Sequence, residues 1–204
     1  MPNKKMKAHE VAIILTGFQN EFCAPYGKLH GLVKDMLASS NVIQNTVDLL
    51  KRSWGKGITC YIASIIFNQG YPELHNPVGI LKDIKEINAF QKGTKGADVI
   101  DELKPFEDYL TVVEGKTGLS CFGNTNLDNF LKEKAVRIIA IAGLLTNVCV
   151  ESTARAGYDA GYEVIVLRDC TACRSHSWQD YSEKNIFPML GRVMSHKEFL
   201  NQIE

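Results

Sequence analysis

The chain has 204 residues, 45% hydrophobic and 23% charged, which is enough for one sizeable core in a single soluble domain. Lys plus Arg and Asp plus Glu balance at 23 each, so the composition offers no electrostatic footprint for nucleic acid or an anionic membrane. Residues 1–10 start basic and lead into only a short apolar run. They read as an N-terminal extension, neither a signal peptide nor a spanning helix. Cys23, Cys60, Cys121, Cys149, Cys170 and Cys173 are scattered without a secreted disulfide framework, which predicts reduced thiols and a cytoplasmic protein.

In chain order, V-A-I-I-L-T (11–16) is the first buried strand, ended by Gly17 and followed by a loop rich in aromatics and glycine. Residues 41–57 read as a helix with Val42, Ile43, Val47, Leu50 and Trp54 on one side, closed by Gly55 and Gly57. Residues 58–66 form the second strand, and the loop F-N-Q-G-Y-P-E-L-H-N-P after it is long enough to suggest a functional segment. Asn76 and Pro77 cap a short helix. Residues 93–103 run from a loop into a short helix ended by Pro105, and 109–113 make the third strand. A second glycine-rich loop, E-G-K-T-G-L-S-C-F-G-N-T, leads to a helix over 126–134 capped by Thr125.

The fourth strand, V-R-I-I-A-I-A (136–142), is short, β-branched and almost uncharged, as a strand buried on both faces should be. Thr146 and Asn147 are plausible N-caps for the helix after it, which carries Val150, Ala154 and Tyr158 at one spacing and Glu151 and Arg155 four apart. The fifth strand spans 163–167. A helix over 177–190 is cut short by Pro188, a short sixth strand covers 192–194, and Ser195 caps a last helix carrying Phe199 and Leu200. Strands and helices alternate throughout. The pattern predicts a single-domain α/β three-layer sandwich, a six-stranded mainly parallel sheet with helices on both faces.

In such a sheet the loops after strands one, three and four leave from the same edge, so residues near Gly17, Lys116 and Cys149 can meet. Cys149 falls in the first turn of a helix just past a buried strand, where α/β sheets place ligands and where the helix dipole favours a thiolate. Two readings of it stand side by side: a nucleophile, or a buried structural cysteine. Lys116, between Gly115 and Gly118, is the cation of its loop and suits a thiolate or a developing oxyanion; its plain alternative is a surface lysine. Phe22 and Phe122 border the same region as candidate substrate-binding walls. Cys170 and Cys173 have C-x-x-C spacing without a second ligand pair, and read as structural.

Four segments match one family: T-G-F-Q-N-E-F (16–22), F-N-Q-G-Y-P-E (67–73), G-K-T-G-L-S-C-F-G-N-T-N-L-D (115–128) and G-L-L-T-N-V-C-V-E-S-T-A-R (143–155), together with D-C-T-A (169–172). Through them the chain resembles the isochorismatase-like cysteine hydrolases, the superfamily of nicotinamidases, N-carbamoyl amide hydrolases and isochorismatases. The resemblance implies Cys149 as nucleophile, Lys116 as the triad lysine and a cis peptide between Leu144 and Leu145. It also implies that the Leu145 and Cys149 N–H groups face an oxyanion. A small-molecule substrate and a homo-oligomer, dimer or tetramer, follow from the same resemblance.

One departure matters. The family closes its first strand with an aspartate that moves protons to and from the thiol and the leaving group; this chain has Gly17 there. General acid–base help is worth roughly a hundred- to ten-thousandfold, so ordinary amidase activity is expected to be impaired, and so is protonation of a vinyl ether. Glu21 and Glu114 are poor stand-ins, and the smaller Gly17 is expected to open volume next to the thiol. The metal pattern of nicotinamidases is also missing after the second strand, where His75 stands alone, so neither a metal nor a cofactor is expected. The leading expectation is a cysteine hydrolase acting on a small amide or other carbonyl compound. The alternatives are a catalytically inactive pseudoenzyme that binds ligands or supports assembly, and a thiol redox sensor.

Overall fold

The first strand, β1 (Val11–Thr16), is buried along its whole length because it lies in the middle of a sheet covered on both faces. Its side chains alternate: Val11, Ile13 and Leu15 enter one core layer, Ala12 and Ile14 the other. The computed structural model describes residues 5–204, so the first four residues of the expected 1–10 extension lie outside the described residues.

After β1 come α1 (Asn20–Cys23), α2 (Lys34–Ser39), α3 (Val42–Ser53), β2 (Thr59–Ala63), α4 (Gly79–Glu86) and β3 (Leu110–Val112). The second half holds α5 (Leu127–Glu133), β4 (Ile138–Leu144), α6 (Glu151–Asp159), β5 (Glu163–Ala172), α7 (His176–Tyr181), β6 (Gly191–Met194) and α8 (His196–Leu200). The strands lie in the order β3-β2-β1-β4-β5-β6, and each neighbouring pair is parallel. Residues of α3 and α8 pack in one layer with Val11 and Leu15, while Leu127 and Leu131 of α5 and Ala154 of α6 pack in the other with Ile14. The chain builds outward from β1 to β3, then returns to β4 and builds the other way. The order therefore reverses between the carboxyl ends of β1 and β4, which is where an open α/β sheet leaves a crevice for ligands.

Several elements differ from the sequence reading for physical reasons. The 41–57 helix stops at Ser53, because Trp54 turns out to stack on Tyr109 at 5.6 Å and tilt against Phe106 at 5.8 Å. β5 runs to Ala172, past the predicted end at 167, and its pairing with β4 is irregular between Ile141 and Gly143. The predicted 177–190 helix is three pieces: α7, a π-helical turn Ser182–Ile186 and a 3-10 turn Phe187–Met189 that holds Pro188, which has no N–H to continue the ladder. Tyr158, expected on the buried stripe with Val150 and Ala154, is 52% exposed. α1 is a short helix inside a stretch read as loop, and α2 falls between that loop and the 41–57 helix, where no element is predicted.

Candidate active site

Five loops converge on the reversal point, and a buried glutamine ties three of them together. Gln19 is fully buried. Its Nε2 donates to the Ile65 carbonyl at 2.9 Å and the Ala97 carbonyl at 2.7 Å, and its Oε1 accepts from the Ile65 N–H at 3.0 Å. Asn20 Nδ2 adds a bond to the Lys95 carbonyl at 2.9 Å. Glu21, buried at 2% exposure, accepts from the Lys28 N–H at 2.8 Å and the Phe90 N–H at 3.3 Å. The Q-N-E run is thus scaffolding: a buried carboxylate holding two backbone amides is committed to the structure.

The loop after β3 carries Lys116. Gly115 has φ +86°, and a Cβ there would overlap the Asn124 carbonyl oxygen, so only glycine lets the loop fold back on itself. The Lys116 carbonyl accepts from the Ile66 N–H at 3.3 Å, and its Nζ donates to the Gly118 carbonyl at 2.6 Å. Lys116 is only 2% exposed, which removes the surface-lysine reading.

Past β4 the Leu144–Leu145 peptide bond is cis, and the backbone then winds through a π-helical turn, Thr146–Val150, into α6. The expected caps Thr146 and Asn147 lie inside that turn, and Leu145 takes the cap position instead. Thr146 is drawn inward, where its hydroxyl donates to Gln179 Oε1 at 2.6 Å. Thr153 Oγ1 donates to the Cys149 carbonyl at 2.7 Å and accepts from the Cys121 N–H at 3.1 Å, joining the cysteine turn to the Lys116 loop.

One cavity is lined by Thr16, Gly17, Phe22, Lys116, Leu145 and Cys149, with further walls from Ile65, Ile80, Ile84, Phe90, Leu119 and Val148. Of the seven sequence-predicted positions, five share it and one, Leu144, lies beside it against Gly17. Phe122 does not belong. It packs in the other core layer against Tyr162, ring centroids 5.9 Å apart, because its loop turns across the opposite face of the sheet. Glu114 and His75 are exposed, and Cys170 and Cys173 are buried free thiols. Sequence reasoning missed Ile80 and Ile84, whose one-turn spacing on α4 was a legible sign of a buried stripe, and Phe90, whose role only the fold discloses.

Two electrostatic expectations need correction. Cys149 is buried at 7% exposure, and burial raises its thiol above the ordinary value. The Lys116 ammonium and the Leu145 backbone lower it in part, and the nearby Cys121 adds to the rise. Desolvation outweighs the pull of the helix and the lysine. Nor does Gly17 open room beside the thiol. Its φ is +72°, and a Cβ there would sit inside van der Waals distance of the Leu144 carbonyl, so the space an aspartate would need is filled by β4 backbone. The enclosed space is about 10 Å³, room for roughly one water.

Asp169, Cys170 and His196 form the one metal-capable group among the described residues, and it lies away from this cavity. His196 is fully engaged there, Nδ1 with Asp169 at 2.7 Å and Nε2 with Asp48 at 3.0 Å. Among the described residues no helix is long and apolar enough to cross a membrane.

The comparisons agree with this architecture. The isochorismatase domain model matches residues 11–198. A ureidoacrylate amidohydrolase of Serratia proteamaculans is 31% identical over 211 residues, covering 95% of this chain and 83% of its own length. A homologue of the same description from Rhizobium rhizogenes is 27% identical over 210 residues, covering 95% of this chain and 83% of its own length. A cysteine hydrolase structure from Pseudomonas syringae pv. phaseolicola superposes with a TM-score of 0.86 at 24% identity, covering 97% of this chain and 94% of that one. With a domain match across nearly its whole length and a six-stranded parallel sheet of the same fold, this chain belongs to the isochorismatase-like cysteine hydrolase family.

Proposed function

We propose that this chain is a cysteine hydrolase that acylates Cys149 on small carbonyl compounds whose leaving group departs without a proton donor from the protein. The observation that carries the reading is the composition of the cavity: among the described residues a thiol, an ammonium and no carboxylate. Lys116 favours the thiolate of Cys149, and the N–H groups of Leu145 and Cys149 receive the oxyanion that forms on the attacked carbonyl. The sulfur–acyl bond forms as the bond to the leaving group breaks, and the thiol proton goes to solvent. Water then releases the carboxylic acid and restores the thiol. An amide is a poor substrate in this scheme, because an unprotonated amine is a poor leaving group; aryl esters and thioesters are good ones. The relatives named as ureidoacrylate amidohydrolases support a hydrolase on small carbonyl compounds.

The test compares wild type, Cys149→Ala and Lys116→Met on ureidoacrylate, nicotinamide and a set of p-nitrophenyl esters. Ester turnover that disappears in Cys149→Ala, with the amides at least a hundredfold slower, is the expected result. Ester turnover that survives Cys149→Ala would overturn it. A second reading, a binding pseudoenzyme, draws support from the raised thiol and the small cavity. It predicts ligand affinity that survives Cys149→Ser and no acyl-enzyme. Burial of the thiol works against peroxide sensing. Homo-oligomer formation is retained as part of the proposal, supported by the exposed Trp178 and Tyr181 on α7. Six free cysteines support a reducing, cytoplasmic setting.

A further inference from the structure

The cavity also selects the acyl half of the substrate. Apart from Thr16, Gly17, Lys116 and Cys149, its walls are hydrocarbon side chains, among them Phe22, Ile65, Ile80, Ile84, Phe90 and Leu119. Phe22 and Phe90 pack on each other, ring centroids 5.3 Å apart, which keeps both rings facing the same space. Ile80 and Ile84 lie one turn apart on α4 and turn its apolar stripe toward the thiol, while Lys82, Asp83 and Glu86 of the same helix are exposed.

The charges near this chamber are spoken for or lie outside it. Glu21 holds the Lys28 and Phe90 amides. Lys82 pairs with Glu86 at 3.7 Å on the solvent side of α4. Lys95 lies over the Tyr26 ring at 4.8 Å, and Lys92 is exposed. Among the described residues Lys116 is the one cation lining the cavity, and its ammonium is bonded to the Gly118 carbonyl. A substrate carboxylate pushed among these walls would lose its water and find no cation except the one the thiolate needs. A buried charge without a partner is strongly disfavoured.

We propose that the acyl group this pocket accepts is short, uncharged and apolar, and that carboxylate-bearing acyl groups are rejected. The acyl group enters as the half-buried Ile80 and Leu119 side chains give way, since the enclosed space by itself holds about one water. The inference rests on the acyl-enzyme reading above and goes beyond it by naming the substrate class. It also separates this chain from relatives named for ureidoacrylate, which carries a carboxylate.

The test uses p-nitrophenyl crotonate and mono-p-nitrophenyl fumarate. The two acyl groups share a trans double bond and differ in a methyl against a carboxylate, and the trans geometry keeps the carboxylate from attacking its own ester. In each case Cys149 sulfur takes the acyl carbon, p-nitrophenolate leaves, the thiol proton goes to solvent, and water later releases the acid. Intact mass separates acylation, which loses p-nitrophenol, from addition of sulfur to the double bond, which retains it. After correction for reaction with a free thiol, crotonate should acylate Cys149 at least a hundredfold faster than fumarate. Ile80→Arg, at a half-buried position from which a long side chain can reach both wall and water, should shrink that ratio at least tenfold by giving the carboxylate a partner. Rates within threefold of each other in wild type, or a preference for fumarate, would overturn the proposal while leaving the acyl-enzyme reading intact. If crotonate leaves Cys149 unmodified while iodoacetamide alkylates it, the acyl-enzyme reading itself falls, and this inference with it.

Discussion

Replacing Gly17 by alanine should destabilise the fold by about 2–5 kcal/mol. An L-residue held at left-handed φ costs roughly 1–2 kcal/mol, and Gly17 has φ +72°. The new Cβ would also overlap the Leu144 carbonyl oxygen and touch the Leu144 carbonyl carbon at 3.0 Å and its Cβ at 3.2 Å. These belong to the fully buried end of β4, where relief means moving backbone, and overpacking a close-packed site typically costs about 1–3 kcal/mol. Urea unfolding measures the sum: with a slope of about 2 kcal/mol per molar, the midpoint should fall by roughly 1–2.5 M. Gly31→Ala is the control, since a Cβ there meets nothing within 4 Å and its φ is unremarkable. Gly17→Asp should be at least as unstable as Gly17→Ala and should gain no amidase activity, because the shift it forces displaces Leu145 and the cysteine turn. A Gly17→Ala protein within about 0.5 kcal/mol of wild type, or a Gly17→Asp protein that is stable and hydrolyses amides, would refute the reasoning.

Further outcomes follow from the same geometry. The rate of Cys149 alkylation by iodoacetamide should rise with pH through a midpoint above the ordinary thiol range, and Lys116→Met should move it higher still, since the ammonium is what lowers it. A midpoint below that of a free thiol would contradict the dominance of burial. His196→Ala should cost about 2–3 kcal/mol at neutral pH, because it removes a buried ring and its hydrogen bonds to two partly exposed carboxylates, Asp169 and Asp48. The His196 and Arg52 bonds hold the Asp48 carboxyl below its usual value against the opposing effect of burial. That contribution is complete above the unfolded carboxylate value near 4 and is lost as pH falls through the lowered native value. The gap between wild type and His196→Ala should therefore narrow in acid melts, and a gap that widens would argue against an ionic contribution. Gln19→Leu should cost about 2–4 kcal/mol by stranding the Ile65 amide and the Ile65 and Ala97 carbonyls. Hydrogen exchange at the Ile65 amide reads it directly, and unchanged protection there would count against the staple.

The alternation of short apolar strands with amphipathic helices was enough to read a parallel α/β sheet, because periodicity and burial are local consequences of residue order. The cysteine turn and the glycine-flanked lysine loop were legible for the same reason: each lies in a short segment whose residue types limit what the backbone can do there, whereas the expectation of an acid at position 17 came only from resemblance to the family. Charge and volume were not. The helix position of Cys149 argued for a lowered thiol, yet desolvation by walls from α4 and from the β1, β2 and β3 loops outweighs it, and those walls are brought together only by the sheet. Gly17 looked like added room until β4 supplied the Leu144 carbonyl that fills it. Phe122 lay next to the lysine loop in the sequence and ended on the far face of the sheet. What residue order alone determined is which groups are present at the carboxyl edge; their solvation, the space between them and the sign of the field on the thiol came from distant segments packing together, since those quantities depend on neighbours that the chain order does not record.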